Sequence, residues 1–446
     1  MKADRRGAVG RREPESRRSD RGRGGLELLA NPDRSGPRWR RFVAYLAVAG
    51  PGLIAANAGN DAGGIVTYAS AGSQYGYRTL FLMVLVTVGM VVVQEMSVRL
   101  GAFTGKGLAS LIREQFSVRL TALAVASLLA SNVGLVVSEF AGIGAAFHLF
   151  GVSRYISIPL AAVAIWALVL FGSYRYAERV FLVLSIAFFT YPIAAVLGHT
   201  DWTQAGLNLA YPHFVGSKAF ILLAVALVGT TISPYMQLYG AAGVVDRGIG
   251  PDEYRFERID AVGGAIFADI VSMFIIVATA AAIAGHGPLQ SASQAARALA
   301  SVAGGQGGEI LFGLGLLGAS ALAGAVVPLS TSYAVSEAIG VERSVSRRFK
   351  DAPLFLGLFT AQVVVGAAVA LVPINLIRLL IGTQVIQGLI TPIVLVFILV
   401  LANRRSVLGK AANGPVFRRV AAVVVLAVGG LSALLVVQTV LGWFGL

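Results

Sequence analysis

The chain has 446 residues, of which 56% are hydrophobic and only 13% are charged, and its mean hydropathy is +0.76. Soluble domains carry about a quarter charged residues, so this composition excludes a soluble globular protein and predicts a polytopic membrane protein. Cysteine is absent and only four histidines occur, which excludes disulfides and argues against a thiolate or histidine-rich metal cluster. The sequence contains no phosphate-binding loop and no enzyme constellation, so we expect neither an ATP-driven pump nor an enzyme.

The net charge of +14 is concentrated at the amino end. Residues 1–41 contain 13 of the 36 Lys and Arg residues, with Gly, Pro, Ser and Asp between them, a composition typical of a disordered tail. We expect this basic tail to lie on the cytoplasmic leaflet, where anionic lipid attracts basic segments. Because the charge has this distribution, we do not expect nucleic-acid binding, and the sequence predicts no obligate protein partner.

Apolar segments long enough to cross about 30 Å of hydrocarbon recur along residues 42–446. The sequence predicts an all-α membrane protein with eleven spans, at residues 43–71, 78–101, 120–149, 155–172, 178–198, 219–244, 259–284, 309–335, 353–373, 377–402 and 417–442. With the amino end inside, 31 of the 36 Lys and Arg residues fall on the inner side, as the positive-inside rule requires. We therefore predict a multi-pass plasma-membrane protein with a cytoplasmic amino end and an extracellular carboxyl end.

The first predicted span contains a carboxylate among glycines, in the sequence AANAGNDAGG at residues 55–64. A carboxylate at membrane depth is costly and is therefore usually functional. The glycines predict a break in the helix, which is tolerated only where the chain faces protein or a water-filled cavity. We therefore predict that Asp61 holds a cation and that Asn57 or Asn60 holds water. The alternative is a buried Asp that caps a helix.

A second interrupted helix is predicted in the sixth span, in the sequence LVGTTISPYMQLYG at residues 227–240. Pro234 lacks a backbone donor and clashes with the preceding turn, and the small polar residues Thr230 and Ser233 lie beside it. A simple proline kink is the alternative interpretation.

The two interrupted helices stand first in two sets of five spans, residues 43–198 and 219–402, and residues 417–442 form an extra helix. Matching interruptions in two halves of a membrane protein indicate the binding site of a secondary transporter. The layout therefore predicts an inverted repeat with its site where the two broken helices meet.

Three stretches together carry a resemblance to a known family: GPGLIAANAGNDAGG at residues 50–64, AGSQYGY at 71–77 and QEMSVRLGAFTGKGL at 94–108. They resemble the natural resistance-associated macrophage protein (Nramp) family of divalent metal transporters, and the likeness extends over residues 45–442. The resemblance implies a LeuT-type fold with a five-plus-five inverted repeat and broken helices 1 and 6. It also implies a divalent metal as substrate and no cofactor.

The metal-binding motifs of that family are altered in this chain. Where the family has Asp-Pro-Gly-Asn in the first helix, this chain keeps Asp61 but has Gly64 in place of the Asn. Where the family has Ala-Thr-Val-Met-Pro-His in the sixth, Ser233 replaces the Met and Tyr235 replaces the His. The resemblance thus implies a site formed by Asp61 and by hydroxyl or backbone oxygens of Thr230 and Ser233, with Gly64 leaving space.

Further residues follow from the same comparison of motifs. In the third helix Val136 replaces a family Asp, whereas Glu139 is kept, and in the tenth Gln384 matches a family Gln near the site. We expect Gln384 to be a carbonyl ligand or to hold water, and Glu139 to line the cavity or simply to pack in the helix. Asp269 in the seventh span is expected to line the exit path or to pair with a neighbour.

The replacements of the family's Met and Asn indicate which metal ion is transported. A thioether favours transition metals over Mg²⁺ and Ca²⁺, so its loss leaves hard oxygens, and smaller side chains leave room for a partly hydrated ion. Mg²⁺ loses water reluctantly, and the sequence therefore resembles the Nramp-related magnesium transporter branch, with Mg²⁺ and Mn²⁺ as substrates. Because the histidines are lost, we expect transport that is weakly coupled to protons or uncoupled.

Three alternatives stay open. The first is a proton-coupled importer of Mn²⁺ and Fe²⁺, as in ordinary members of the family. The second is an importer of an organic solute such as an amino acid on the same fold, although Asp61 would repel its carboxylate. The third is a metal sensor in which the basic tail relays a signal.

Overall fold

The computed structural model describes residues 59–171, 189–198, 200–285, 287–289, 294, 306–341, 349–373 and 375–443. These residues belong to one compact unit, Pro51–Leu446. The basic tail, Asn57 and most of the predicted fifth span lie outside the described residues.

The described chain is helical, because a backbone that crosses a membrane must satisfy its own polar groups. The helices, numbered in chain order, are α1 Ala62–Tyr75, α2 Leu80–Thr104, α3 Leu108–Gln115, α4 Val118–Leu149, α5 Arg154–Phe171, α6 Thr190–Leu197, α7 Trp202–Ala210, α8 Lys218–Thr231, α9 Pro234–Asp246, α10 Tyr254–Ile283, α11 Gln306–Ile339, α12 Pro353–Ala370, α13 Leu376–Asn403, α14 Arg405–Leu408 and α15 Pro415–Trp443. Short 3-10 segments, Gly76–Thr79 and Gly409–Ala411, join α1 to α2 and follow α14.

Polar side chains begin several of the long helices. Ser117 caps α4, Ser217 caps α8 and Asn375 caps α13, each by accepting a hydrogen bond from a backbone N–H of the first turn. Such caps satisfy donors that have no partner within the helix. The local sequence thus determines where these helices begin.

Within the described part of the chain, nine helical segments are long and apolar enough to cross a membrane. They correspond to ten of the eleven predicted spans, because Ala62–Thr104 combines the second half of the first span with the second span. The remaining span, the fifth, is represented only by α6. The all-α, multi-pass prediction is therefore confirmed.

The predicted interruption of the sixth span is present, and the first span contains a non-helical stretch where its interruption was predicted, although the residues before Gly59 lie outside the described part of the chain. The helix α1 begins only at Ala62, after a non-helical stretch at residues 59–61. The sixth span is divided at Ile232 and Ser233, whose backbone is not helical, and Pro234 then begins α9, the position where a missing N–H costs least.

The helix that follows the first break lies at the centre of the fold. Helix α1 packs against α10, α13, α8, α4 and α11, and its residues from Ala62 to Ser73 are all buried. The last helix, α15, packs on α13 and α8 and exposes apolar side chains such as Leu426, as a lipid-facing helix would.

Polar contacts join the ends of several helices. Glu95 and Arg99, four residues apart on α2, form an ion pair with 3.2 Å between Oε2 and Nη2. Glu95 also accepts a hydrogen bond from the Tyr254 hydroxyl, and Arg99 donates to the Ala411 carbonyl oxygen at 3.0 Å. These contacts connect α2 to α10 and to the segment before α15.

Candidate functional site

Asp61 lies at the break in the first span and caps α1. Its Oδ1 atom accepts a hydrogen bond from the Gly64 N–H at 2.5 Å, and its side chain is fully buried. Its extended backbone, with ψ of 177°, ends the non-helical stretch. Asp61 therefore caps the helix, as the alternative interpretation expected. Capping uses only part of the carboxylate's capacity to accept hydrogen bonds or to bind a cation.

Gln384 reaches the same carboxylate from α13. Its Nε2 atom donates to Asp61 Oδ1 at 2.9 Å and to Oδ2 at 3.2 Å. The approach depends on Gly63, because a Cβ atom there would lie 3.0 Å from Gln384 Cδ and closer still to Nε2. The Gln384 Oε1 atom is buried and has no hydrogen-bond partner among the described residues.

Glu139 brings a second carboxylate to the same helical turn from α4. Its Oε2 atom accepts a hydrogen bond from the Ala62 N–H at 3.1 Å, and its Oε1 atom is buried without a hydrogen-bond partner in the described chain. Gly142, one turn along α4, permits this approach, because a Cβ atom there would collide with Ala62 Cβ. The structure thus places Glu139 beside the first turn of α1, which Asp61 caps.

The two carboxylates are close enough to repel each other. Neither forms an ion pair with a Lys or Arg side chain of the described residues. Residues 42–77 contain no Lys or Arg at all. The positive ends of the peptide dipoles in the first turn of α1 are the donors that stabilise them.

The two broken helices meet beside Gly64. The Thr230 hydroxyl donates to the Gly59 carbonyl oxygen at 3.2 Å, which joins the end of α8 to the first break. A Cβ atom at residue 64 would lie 2.5 Å from Thr230 Oγ1 and 3.2 Å from Asp61 Oδ1. In this conformation Gly64 therefore permits close packing and does not leave the free space expected from the sequence.

Ser233 is fully buried between the halves of the second broken helix. Its hydroxyl donates to the Gly229 carbonyl oxygen at 2.5 Å, with the Thr230 carbonyl oxygen at 3.2 Å as a second acceptor. The hydroxyl proton is thus held by the end of α8, and the oxygen lone pairs remain available.

Asn60 is already engaged by the helix α10. Its Nδ2 atom donates to the Ala268 carbonyl oxygen at 3.0 Å, and its Oδ1 atom accepts from the Ser272 hydroxyl at 2.6 Å. Asn60 therefore fixes the break against α10, whereas the sequence suggested a water-holding role.

Two further predicted residues are also buried. Tyr235 is close enough to Asp61 and Glu139 to interact with both charges, and its carbonyl oxygen accepts from the Ser330 hydroxyl at 2.9 Å. Asp269 is buried on α10, and its neighbour there is Thr87 of α2, so it stands apart from the Asp61 site.

Two residues that make contacts near the two helix breaks were not identified from the sequence. The Gly59 carbonyl oxygen is a backbone atom and has no sequence signature, although its glycine-rich surroundings suggest an irregular backbone. Tyr68 shares a hydrogen bond of 2.9 Å with Thr231, and this contact spans 163 residues of sequence. Only its spacing of seven residues from Asp61 on a helix could have suggested that it lies near the site.

The arrangement is suited to bind a hard cation. Oxygen atoms predominate around the first turn of α1, where the Asp61 and Glu139 carboxylates accept from backbone N–H groups and the Thr230 hydroxyl lies beside Gly64. No group of three or more His, Cys, Asp or Glu residues that could hold a metal occurs within the described ranges. Oxygen ligands with few carboxylates match a cation that keeps some of its water.

Comparisons with known proteins identify relatives of this chain. A family model described as "Natural resistance-associated macrophage protein-like" matches residues 52–438. The chain is 28% identical over 408 residues to the divalent metal cation transporter MntH of Burkholderia ambifaria, covering 89% of each. It is also 28% identical over 394 residues to divalent metal cation transporter MntH 1 of Pseudomonas aeruginosa, covering 82% of this chain and 85% of that protein.

Solved structures share the fold. A crystal structure of the Eremococcus coleocola manganese transporter, in complex with an aromatic bis-isothiourea substituted compound, has a TM-score of 0.72 at 17% identity, covering 92% of this chain and 90% of that one. A Na⁺-coupled sialic acid symporter has a TM-score of 0.50 at 13% identity, covering 89% and 97%. These neighbours share the LeuT fold, which was expected from the sequence and is thereby confirmed.

The contact between Gln384 and Asp61 generates a prediction. The variant Gln384→Leu removes the donor that orients the carboxylate, and loss of such a supporting contact typically weakens metal binding about 10- to 100-fold. We expect the affinity of the purified protein for Mn²⁺, measured by isothermal titration calorimetry, to fall within this range.

Gln362→Leu is the matched control, because Gln362 is also buried but lies on α12 and donates to the carbonyl oxygens of Pro328 on α11 and of Leu358 on its own helix. Unchanged Mn²⁺ affinity in Gln384→Leu, or an equal loss in both variants, would contradict the assigned role of Gln384.

Proposed function

The chain belongs to the natural resistance-associated macrophage protein family, and from this premise we propose that it carries divalent metal cations across the membrane, with Mg²⁺ and Mn²⁺ as its substrates. One observation carries the proposal: two buried carboxylates, Asp61 and Glu139, converge on the first turn of α1 with no basic partner among the described residues. Such a pair needs a compensating cation. The relatives it matches bear the names of membrane transporters and not of enzymes.

The choice of ion follows from the ligands. Sulfur is absent from the residues at the site, since Ser233 stands where the family resemblance places a thioether, and the remaining candidate ligands are oxygens. Oxygen ligands suit Mg²⁺ and Mn²⁺, whereas softer ligands favour later transition metals. The names of the relatives, a manganese transporter and divalent metal cation transporters, support the general substrate class.

The proposed driving force is the metal gradient together with the membrane potential. Tyr235 occupies the position of a family histidine, and the described contacts of Asp61 include no histidine. An inside-negative potential contributes about 2.3 kcal/mol per charge per 100 mV, so a divalent ion gains about 4.6 kcal/mol per 100 mV. Uptake on this scale requires no proton.

The same proposal includes the membrane in which the protein lies and its orientation there. The plasma membrane is the proposed location, with the amino end in the cytoplasm and the carboxyl end outside. The bias of Lys and Arg residues between loops supports this orientation. The tail at residues 1–41 is proposed to bind anionic lipid.

The direct test is metal uptake into proteoliposomes with simultaneous measurement of internal pH. We expect both Mg²⁺ and Mn²⁺ to enter without acidification of the interior, and we expect an inside-negative potential to accelerate entry. In Asp61→Asn uptake is expected to fall at least about tenfold, because the site loses a charged ligand.

Glu114→Gln is the control, since Glu114 lies at the surface and pairs with Lys106, and its uptake is expected to match wild type. Entry of Mn²⁺ with acidification and without Mg²⁺ entry would replace the proposal with proton-coupled manganese transport. Equal uptake in wild type and Asp61→Asn would remove the site assignment.

The selectivity for hard over soft cations can be tested by replacing the hydroxyl oxygen of Ser233 with sulfur. Ser233→Cys exchanges oxygen for sulfur at nearly constant shape in a chain that has no other cysteine. We expect uptake of Cd²⁺ relative to Mg²⁺ to rise about tenfold or more, because thiolate sulfur prefers soft cations.

The control is Ser432→Cys, because Ser432 lies on α15 and bonds to the Gly388 and Val428 carbonyl oxygens. If Ser233→Cys leaves the ratio of Cd²⁺ to Mg²⁺ uptake at the wild-type value, Ser233 does not contact the ion.

A further inference from the structure

A third buried carboxylate lies outside the Asp61 site. Asp269 occupies the middle of α10, Tyr254–Ile283, and its side chain is 3% exposed. Its Oδ2 atom has no hydrogen-bond partner among the described residues, and it forms no ion pair with a described Lys or Arg. Burial of a carboxylate without an opposite charge is strongly unfavourable, so the position requires a compensating positive charge.

The depth of Asp269 is fixed by its neighbours on α10. The preceding residue, Ala268, accepts a hydrogen bond from Asn60 through its carbonyl oxygen, and Ser272, one turn further, donates to Asn60. Asp269 therefore lies at the depth of the first helix break. It faces different residues from Asp61, whose contacts come from α1 and α13.

Hydroxyl groups lie near the Asp269 carboxylate. The Thr87 side chain on α2 is a hydrogen-bonding neighbour of the carboxylate, and Tyr68 on α1 lies within range of its charge. Ser272 also lies beside the Tyr68 hydroxyl. Three helices thus bring uncharged oxygen atoms to one buried carboxylate.

Each of these hydroxyl groups also has a hydrogen-bond partner other than Asp269. Thr87 donates to the Met83 carbonyl oxygen at 2.8 Å, Ser272 has acceptors in Asn60 Oδ1 at 2.6 Å and the Ala268 carbonyl oxygen at 3.0 Å, and Tyr68 shares a hydrogen bond with Thr231 at 2.9 Å. A hydroxyl oxygen keeps acceptor lone pairs whichever group receives its proton. The group therefore offers acceptor oxygens beside Asp269.

We propose that Asp269, with the hydroxyl oxygens of Thr87, Tyr68 and Ser272, forms a second cation site that binds Na⁺ and is separate from the Asp61 site. One carboxylate and neutral oxygens balance a single positive charge. A divalent ion would leave a net charge in a buried position, where an uncompensated charge is costly. A bound Na⁺ would connect α1, α2 and α10 next to the first break.

The test is thermal unfolding of the purified full-length protein in NaCl and in choline chloride at equal ionic strength, without divalent metal. Na⁺ is expected to raise the unfolding midpoint of the wild type in a saturable manner, as a ligand of the folded state does. In Asp269→Asn the dependence on Na⁺ is expected to vanish. In Asp61→Asn, which alters the divalent-metal site only, it is expected to persist.

A second variant covers the case in which Asp269→Asn does not fold. Thr87→Val removes one oxygen ligand at nearly constant shape, and it is expected to shift the Na⁺ concentration for half-maximal stabilisation upward by about tenfold. Thr360→Val is its control, since Thr360 lies on α12 and donates to the Leu356 carbonyl oxygen.

Three results would overturn the proposal. The first is a wild-type midpoint that does not respond to Na⁺, or that responds only to pH, which would mean that Asp269 holds a proton. The second is a Na⁺ response that remains in Asp269→Asn or is unchanged in Thr87→Val. The third is a Na⁺ response lost in Asp61→Asn alone, which would place Na⁺ at the divalent-metal site. The outcome is independent of whether Mg²⁺ or Mn²⁺ is transported.

Discussion

Uncompensated negative charge at membrane depth is the constraint on which the rest of this structure depends. A carboxylate at the centre of a bilayer costs about 2.5–3.5 kcal/mol on insertion scales, and this chain buries Asp61 and Glu139 together. Each carboxylate uses a backbone N–H of the first turn of α1, and such donors exist only because the helix begins there. The break in the first span and the two charges therefore require each other.

The same constraint explains the glycines around the break. Gly63 lets the Gln384 amide reach Asp61, Gly142 lets α4 reach Ala62, and Gly64 lets Thr230 approach the Gly59 carbonyl oxygen. Any Cβ atom at these positions would separate the helices that supply the ligands. Close packing of α1 against its neighbouring helices thus positions the oxygens, and in the proposed function a bound cation supplies the compensating charge.

Much of this architecture could be predicted from the sequence, because its signals are local. The apolar spans follow from composition and length, and Pro234 and the glycines near Asp61 indicate the two breaks through their own backbone chemistry. The proximity of Glu139 and Gln384 to Asp61 came from the family resemblance, since the contacts join residues 77 or more positions apart. The engagement of Asn60 by α10 and the packing beside Gly64 could not be predicted, because they depend on which helix lies opposite.

The measurement that tests the central claim most directly is anomalous X-ray diffraction from crystals grown with Mn²⁺, compared between wild type and Asp61→Asn. A peak is expected between α1, α4 and α13, with Mn²⁺ bound to an Asp61 oxygen either directly, at about 2.1 Å, or through one water. The peak should be absent from Asp61→Asn crystals. A Mn²⁺ peak bounded by other residues, or one that persists unchanged in Asp61→Asn, would contradict the account.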